Sequence, residues 1–166
     1  MHVVKSDPSL SKAATYREVN AQLAGLFSGE RNGLANSANL CALLYQMLPD
    51  VNWVGFYFLH GAELVLGPFQ GKVACVRIAM GRGVCGTAAE RREILVVPDV
   101  NEFPGHIACD AASRSEIVLP LVQHGRLLGV LDLDSPNLAR FDDEDRDGLA
   151  ASVEILLKSS QLSMPG

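Results

Sequence analysis

Apolar residues recur at helical spacing only toward the two ends of this chain, and the middle reads as short strands. Tyr16, Val19, Leu23, Leu26 and Phe27 form one stripe at spacings of three and four, which predicts a helix over 14–28 stopped by Gly29. Ala38, Cys41, Leu44, Tyr45 and Leu48 form a second stripe and predict a helix over 35–48, ended by Pro49-Asp50. Residues 51–59, 63–66, 73–78, 94–97, 116–122 and 126–134 read as strands, with a short helix over 87–92. The last stripe, Leu149, Val153, Leu156 and Leu157, follows Asp142, Asp143, Glu144 and Asp145. Acidic residues suit the positive end of a helix dipole, so this run reads as a helix cap rather than a metal site. The order helix, helix, about six strands, helix predicts an α+β fold: one mostly antiparallel sheet with helices packed on one face.

A chain of 166 residues is one domain's worth and needs no disulfide staples, because at that size about 70% of the unfolded surface can be buried. Its 14 cations and 19 acids leave a charge of −5 with no Lys/Arg cluster, which argues against nucleic acid. The apolar runs, such as residues 117–122, are too short to span a bilayer. The start, Met1-His2-Val3-Val4-Lys5-Ser6-Asp7-Pro8, lacks the apolar stretch of a secretory signal. The expected compartment is the cytoplasm, where thiols stay reduced. Cys41, Cys75, Cys85 and Cys109 are then core residues, metal ligands or redox groups rather than a structural framework.

Gly81-Arg82-Gly83-Val84-Cys85-Gly86 fits the dinucleotide fingerprint, but no repeated βαβ units surround it, so it reads as a tight glycine turn. If Cys85 stands at a helix N-terminus, its thiolate gains some stabilisation there. Cys75, Cys85, Cys109 and His106 are a conceivable zinc set. They lack the close cysteine pair that structural zinc sites usually carry, and no metal is expected. Cys41 lies on the second helical stripe and reads as core. Cys109 sits in a loop-like stretch of small and polar residues, the kind of segment that carries chemistry. An ordinary half-buried thiol is an equal reading of that residue taken alone.

The acids supply a second clue. Asp132 and Asp134 alternate with Leu131 and Leu133, so on a strand both carboxyls share one face. A three-residue connection, Gln123-His124-Gly125, pairs Val122 with Arg126 and places Glu116 opposite Asp132 on that same face. A two-residue His124-Gly125 turn would send Glu116 to the other face. Three clustered acids raise one another's pKa, which suits a cationic ligand group or a protonation step. A solvated polar face is the plainer alternative.

Trp53-Val54-Gly55-Phe56-Tyr57, Gly71-Lys72-Val73-Ala74-Cys75, Gly83-Val84-Cys85-Gly86-Thr87-Ala88, His106-Ile107-Ala108-Cys109-Asp110, Ser113-Arg114-Ser115-Glu116-Ile117-Val118 and Gly129-Val130-Leu131-Asp132-Leu133-Asp134-Ser135 form a set of segments. Taken together, they resemble the free methionine-(R)-sulfoxide reductase family of GAF domains. The resemblance covers about 16–157 and implies a single GAF-like domain, with a central antiparallel sheet flanked by helices. It implies reduction of free methionine (R)-sulfoxide with thioredoxin as reductant, no cofactor, and a homodimer. By position, Cys109 would be the nucleophile, Cys75 the main resolving cysteine and Cys85 a secondary exchange partner. Glu116, Asp132 and Asp134 would contact substrate, and Trp53 and Tyr57 would line its pocket. The residues suit that chemistry: a thiolate attacks the sulfoxide sulfur while a protonated carboxyl supplies the departing oxygen's proton. The alternatives are a GAF sensor that binds a small ligand without chemistry, and a thiol redox switch that ignores methionine sulfoxide.

Overall fold

The computed structural model describes residues 4–106 and 111–162. Two helices, α1 (Lys12–Leu26) and α2 (Gly33–Met47), precede β1 (Trp53–His60), β2 (Glu63–Gly71) and β3 (Arg77–Ala79). Then follow α3 (Gly83–Arg91), β4 (Leu95–Val97), β5 (Ser115–Gln123), β6 (Arg126–Ser135) and α4 (Asp143–Ser159). The strands form one antiparallel sheet in the order β3-β2-β1-β6-β5-β4. The α+β expectation holds.

Both faces of the sheet are covered, because alternate residues of its central strands are apolar in both directions. Val54, Phe56, Phe58, Ile117, Leu119, Leu131 and Leu133 join Leu23, Leu44, Leu149 and Leu156 in the core beneath α1, α2 and α4. Trp53, Tyr57, Val118 and Val130 point the other way and pack with Val84, Cys85 and Ala88 of α3. Helices on one face only was therefore an incomplete expectation, and the face beneath α3 holds the site.

Local sequence accounts for the helix ends. Ser11 caps α1 by accepting from the Ala14 N–H, and Asn32 caps α2 by accepting from the Ala35 N–H. In α2 the buried stripe is Leu40, Cys41, Leu43, Leu44 and Met47, whereas Ala38 and Tyr45 of the expected stripe are exposed. The helix is rotated because Asn36 and Ser37 face inward, with Asn36 donating to Ser160 Oγ at 2.8 Å. The acidic run caps α4, as expected: Asp142 and Asp145 form a reciprocal capping box. Asp145 is also fully buried and accepts from Tyr16 OH at 2.6 Å, Lys12 Nζ at 2.7 Å and Arg140 Nη1 at 3.1 Å. It ties α1 to α4.

The β5–β6 hairpin differs from the expected register in an instructive way. His124 and Gly125 both adopt left-handed φ values, 52° and 74°, and make a two-residue turn with Gln123 opposite Arg126. That turn alone would send Glu116 to the wrong face. A bulge restores it: Val122 pairs with Leu127 but Leu121 with Gly129, so Leu128 is an extra residue. Glu116 consequently faces Asp134, not Asp132, and Val118 faces Asp132.

Two strands differ in length from the expectation. β2 runs on to Gly71 through Gly67-Pro68, which look like a stop, because a bulge lets both residues oppose Phe56. In place of a strand over 73–78, only Arg77–Ala79 pairs with β2. Residues 72–75 leave the sheet as a loop at its edge, and the Val76 carbonyl still accepts from the Leu66 N–H of β2 at 2.9 Å. Among the described residues, no helix is long and apolar enough to cross a membrane.

Candidate active site

The site lies where β1, β5 and β6 meet under the first turn of α3. Period-two alternation sends Trp53 and Tyr57 of β1, Glu116 of β5, and Asp132 and Asp134 of β6 to this face. Trp53 stands beside Asp134 in the β1–β6 ladder, and Gly55 stands beside Asp132. Gly55 has a steric reason to be glycine. A Cβ there would run into the Trp53 ring and lie 2.5 Å from Phe69 Cβ, so its absence lets the indole lie flat over the strand. Trp53 stacks on Phe69 at 5.4 Å and on Tyr57 at 6.0 Å, forming an aromatic wall. The polar tips of that wall hold the neighbouring loop. Trp53 Nε1–H donates to the Lys72 carbonyl at 3.1 Å, and Tyr57 OH donates to the Cys75 carbonyl at 2.9 Å.

Together Trp53, Tyr57, Cys85, Glu116, Asp132 and Asp134 line a narrow pocket with a cavity volume of about 50 Å³. Glu116 and Asp132 are only 6% and 5% exposed. Burial, then the charge of Asp132, pushes the Glu116 carboxyl well above the carboxylate range. Burial, then the charge of Asp134, does the same to Asp132. One Asp132 oxygen, Oδ1, is buried and has no hydrogen-bond partner among the described residues. The face is thus a buried set of carboxyls whose burial and mutual charge favour the protonated form, not a solvated polar surface.

The glycine-turn reading fits: Gly81 and Gly83 have φ of 79° and 61° at the entry to α3, which begins at Gly83 rather than at residue 87. Cys85 lies in that first turn, but the expected thiolate stabilisation is overridden. Burial, then the charges of Asp132, Glu116 and Asp134, pushes its thiol well above the usual value. A helix dipole contributes only about 0.3–1 kcal/mol, less than complete burial beside three acids takes away. Cys41 and Cys85 are free, whereas Cys75 is disulfide-bonded. Cys41 is fully buried, and its thiol contacts the Pro68 carbonyl at 3.4 Å, as a core residue. Cys109 lies outside the described residues.

Ligand atoms of Cys85, Glu116 and Asp132 lie within 4.8 Å of one another, near enough to hold a cation in place of their protons. The zinc set raised by the sequence is a different one, and its Cys75 is held in a disulfide. His106 does line the pocket, where burial lowers its pKa. Arg82 and Ser113 line it too, and no sequence pattern singled them out. Arg82's place between two turn glycines is the signal that could have found it.

This sheet, with a small pocket beneath a short helix, is that of a GAF domain, and the GAF domain family model matches residues 32–156. The chain is 54% identical over 149 residues to the free methionine-R-sulfoxide reductase of Escherichia coli (strain K12), covering 90% of each chain. It is 41% identical over 164 residues to that of Saccharomyces cerevisiae, covering 94% of this chain and 91% of the other. The X-ray structure of free methionine-R-sulfoxide reductase from Neisseria meningitidis in complex with its substrate superposes with a TM-score of 0.91 at 46% identity. It covers 96% of this chain and 95% of that one. The chain belongs to the free methionine-R-sulfoxide reductase family of GAF domains.

Proposed function

We propose that the chain reduces free methionine (R)-sulfoxide to methionine. The observation that carries this reading is the set of Glu116, Asp132 and Asp134 gathered on one sheet face against the wall of Trp53 and Tyr57. A free amino acid brings an ammonium, which the carboxyls receive, and an S-methyl group, which the aromatic rings receive. The enzymes of Escherichia coli and yeast, named for this activity, support the assignment.

In the proposed reaction the Cys109 thiolate attacks the sulfoxide sulfur. A carboxyl that stays protonated near neutral pH supplies the proton taken up by the oxygen. Glu116 and Asp132 suit that role because burial holds their protons. Oxygen passes to Cys109 as a sulfenic acid, and methionine leaves carrying the two electrons. The Cys75 thiol then displaces water and forms a disulfide with Cys109. Disulfide-bonded Cys75, in the loop that Tyr57 holds at the site, supports this step. Cys85 follows as a secondary exchange partner, since its buried thiol keeps its proton. A thioredoxin dithiol returns two electrons and resets the pair. The assembly is proposed to be a homodimer, which light scattering would report. The test of the activity is methionine release from separated R and S sulfoxides, with dithiothreitol and then thioredoxin. Release from the R form alone is expected, and no release from it rejects the reading.

A further inference from the structure

The disulfide at Cys75 sits in a loop that borders the pocket on one side through Val73 and Ala74 and turns Val76 outward on the other. Residues 72–75 leave the sheet at its edge, and Val76 rejoins β2 through its carbonyl, which accepts from the Leu66 N–H. Val73 and Val76 flank Cys75 by two residues and one residue, and they are 88% and 61% exposed. Exposed valines are unremarkable singly, but these two bracket the same sulfur. The charge around them also runs against that of the chain. Between Glu63 and Glu90 there is no acid, and there are three cations, Lys72, Arg77 and Arg82, in a protein of net charge −5. Arg77 is paired with Glu63 at 2.7 Å, whereas Lys72 and Arg82 have no ion pair among the described residues. An apolar rim with unneutralised cations beside a disulfide is what an incoming thiolate on a protein surface needs. The valines offer contact area, and the cations stabilise the attacking anion.

We propose that the loop carrying Val73, Cys75 and Val76, with Lys72 and Arg82 beside it, is the docking surface for a dithiol protein whose thiol is surrounded by apolar and acidic groups. This rests on the reductase reading above and names how its reductant is recognised. On docking, the partner's thiolate attacks one sulfur of the disulfide. The S–S bond breaks, a mixed disulfide forms, and the released thiolate takes a proton. The partner's second thiolate then displaces the mixed disulfide, so two electrons pass from the partner's dithiol to this chain and the partner leaves oxidised. The hydrogen bond that the Tyr57 hydroxyl donates to the Cys75 carbonyl holds the loop still for that approach.

The test compares two reductants on one variant, Val76→Asp; Val76 is chosen because Val73 also borders the pocket mouth. Turnover of free methionine (R)-sulfoxide is measured with dithiothreitol, which needs no docking surface, and with thioredoxin. V76D is expected to match wild type with dithiothreitol. Its kcat/KM for thioredoxin should fall about tenfold or more, the size of effect a charge placed in an apolar contact produces. Equal losses with both reductants, or no loss with thioredoxin, overturn the docking surface, as does wild-type protein that thioredoxin fails to reduce. Wild-type protein that is inactive with dithiothreitol overturns the reductase reading instead. Should V76D misfold, the near-isosteric V76T is read by the same ratio.

Discussion

Glu116 and Asp134 face each other directly across the β5–β6 ladder, one strand residue opposite the other, on a buried sheet face. Like charges directly opposite destabilise a sheet, so a pair in this position calls for protons or a cation between its members. The proposed binding role of this cluster, held at a cost in stability, predicts opposite signs for function and folding in the same variant. Glu116→Gln should lower kcat/KM for free methionine (R)-sulfoxide by roughly 10²-fold or more, the scale of a lost proton donor. The same substitution should raise the melting temperature, because it removes an acid that burial disfavours. Steady-state kinetics and calorimetry on one preparation check both signs.

The raised pKa values also set a direction with pH. Glu116 and Asp132 keep their protons in the folded state at pH values where the unfolded chain, near 4.5 and 3.8, has lost them. The folded state then binds more protons, so their contribution to stability is full below those values and falls as pH rises toward the raised ones. Substrate-free protein should therefore lose melting temperature as pH climbs above about 5. The Glu116→Gln, Asp132→Asn double variant should show a flatter profile over the same window. Identical slopes for variant and wild type would contradict the cluster's role.

Gly55 lets the Trp53 indole lie flat between Phe69 and Tyr57. Gly55→Ala should push the ring off the strand and raise KM for the sulfoxide, while the far core beneath α1, α2 and α4 stays intact. Tryptophan fluorescence reports the displacement directly, since Trp53 is the chain's one tryptophan.

Much of this was open to sequence reasoning. Alternation put Asp132 and Asp134 on one face, and the helical stripes gave α1, α2 and α4, because each depends on a local period. What depends on pairing was less legible. The Leu128 bulge has no signature in its own residues, and without it the His124-Gly125 turn would have separated Glu116 from the aspartates. The start of β3 at residue 77 and the continuation of β2 through Gly67-Pro68 were set by their neighbours, not by their own composition. Cys85 was placed near a helix start, yet its acidity was decided by burial and by Asp132 and Glu116, which only the folded chain brings to it.

Asp145 gives a prediction about folding alone. It is fully buried and holds Tyr16, Lys12 and Arg140 on the sheet face remote from the pocket. Asp145→Ala leaves those partners unmatched and should destabilise the chain by about 3–5 kcal/mol. Denaturant titration measures the loss, and kcat per folded molecule should stay at the wild-type level.

Cys75→Ser separates chemistry from recycling. Its first turnover should match wild type, and its steady-state rate with thioredoxin should fall to a small fraction of wild type. Normal recycling would move the resolving role to another thiol.

The most direct measurement of the central claim uses pre-reduced protein with no added reductant, mixed with excess free methionine (R)-sulfoxide, and counts methionine formed per chain. Wild type and Cys75→Ser should each give a prompt release of about one methionine per chain, the yield of a single thiol oxidised to a sulfenic acid, and Cys109→Ser should give none. A full first turnover from Cys109→Ser, or no methionine from wild type, would contradict it.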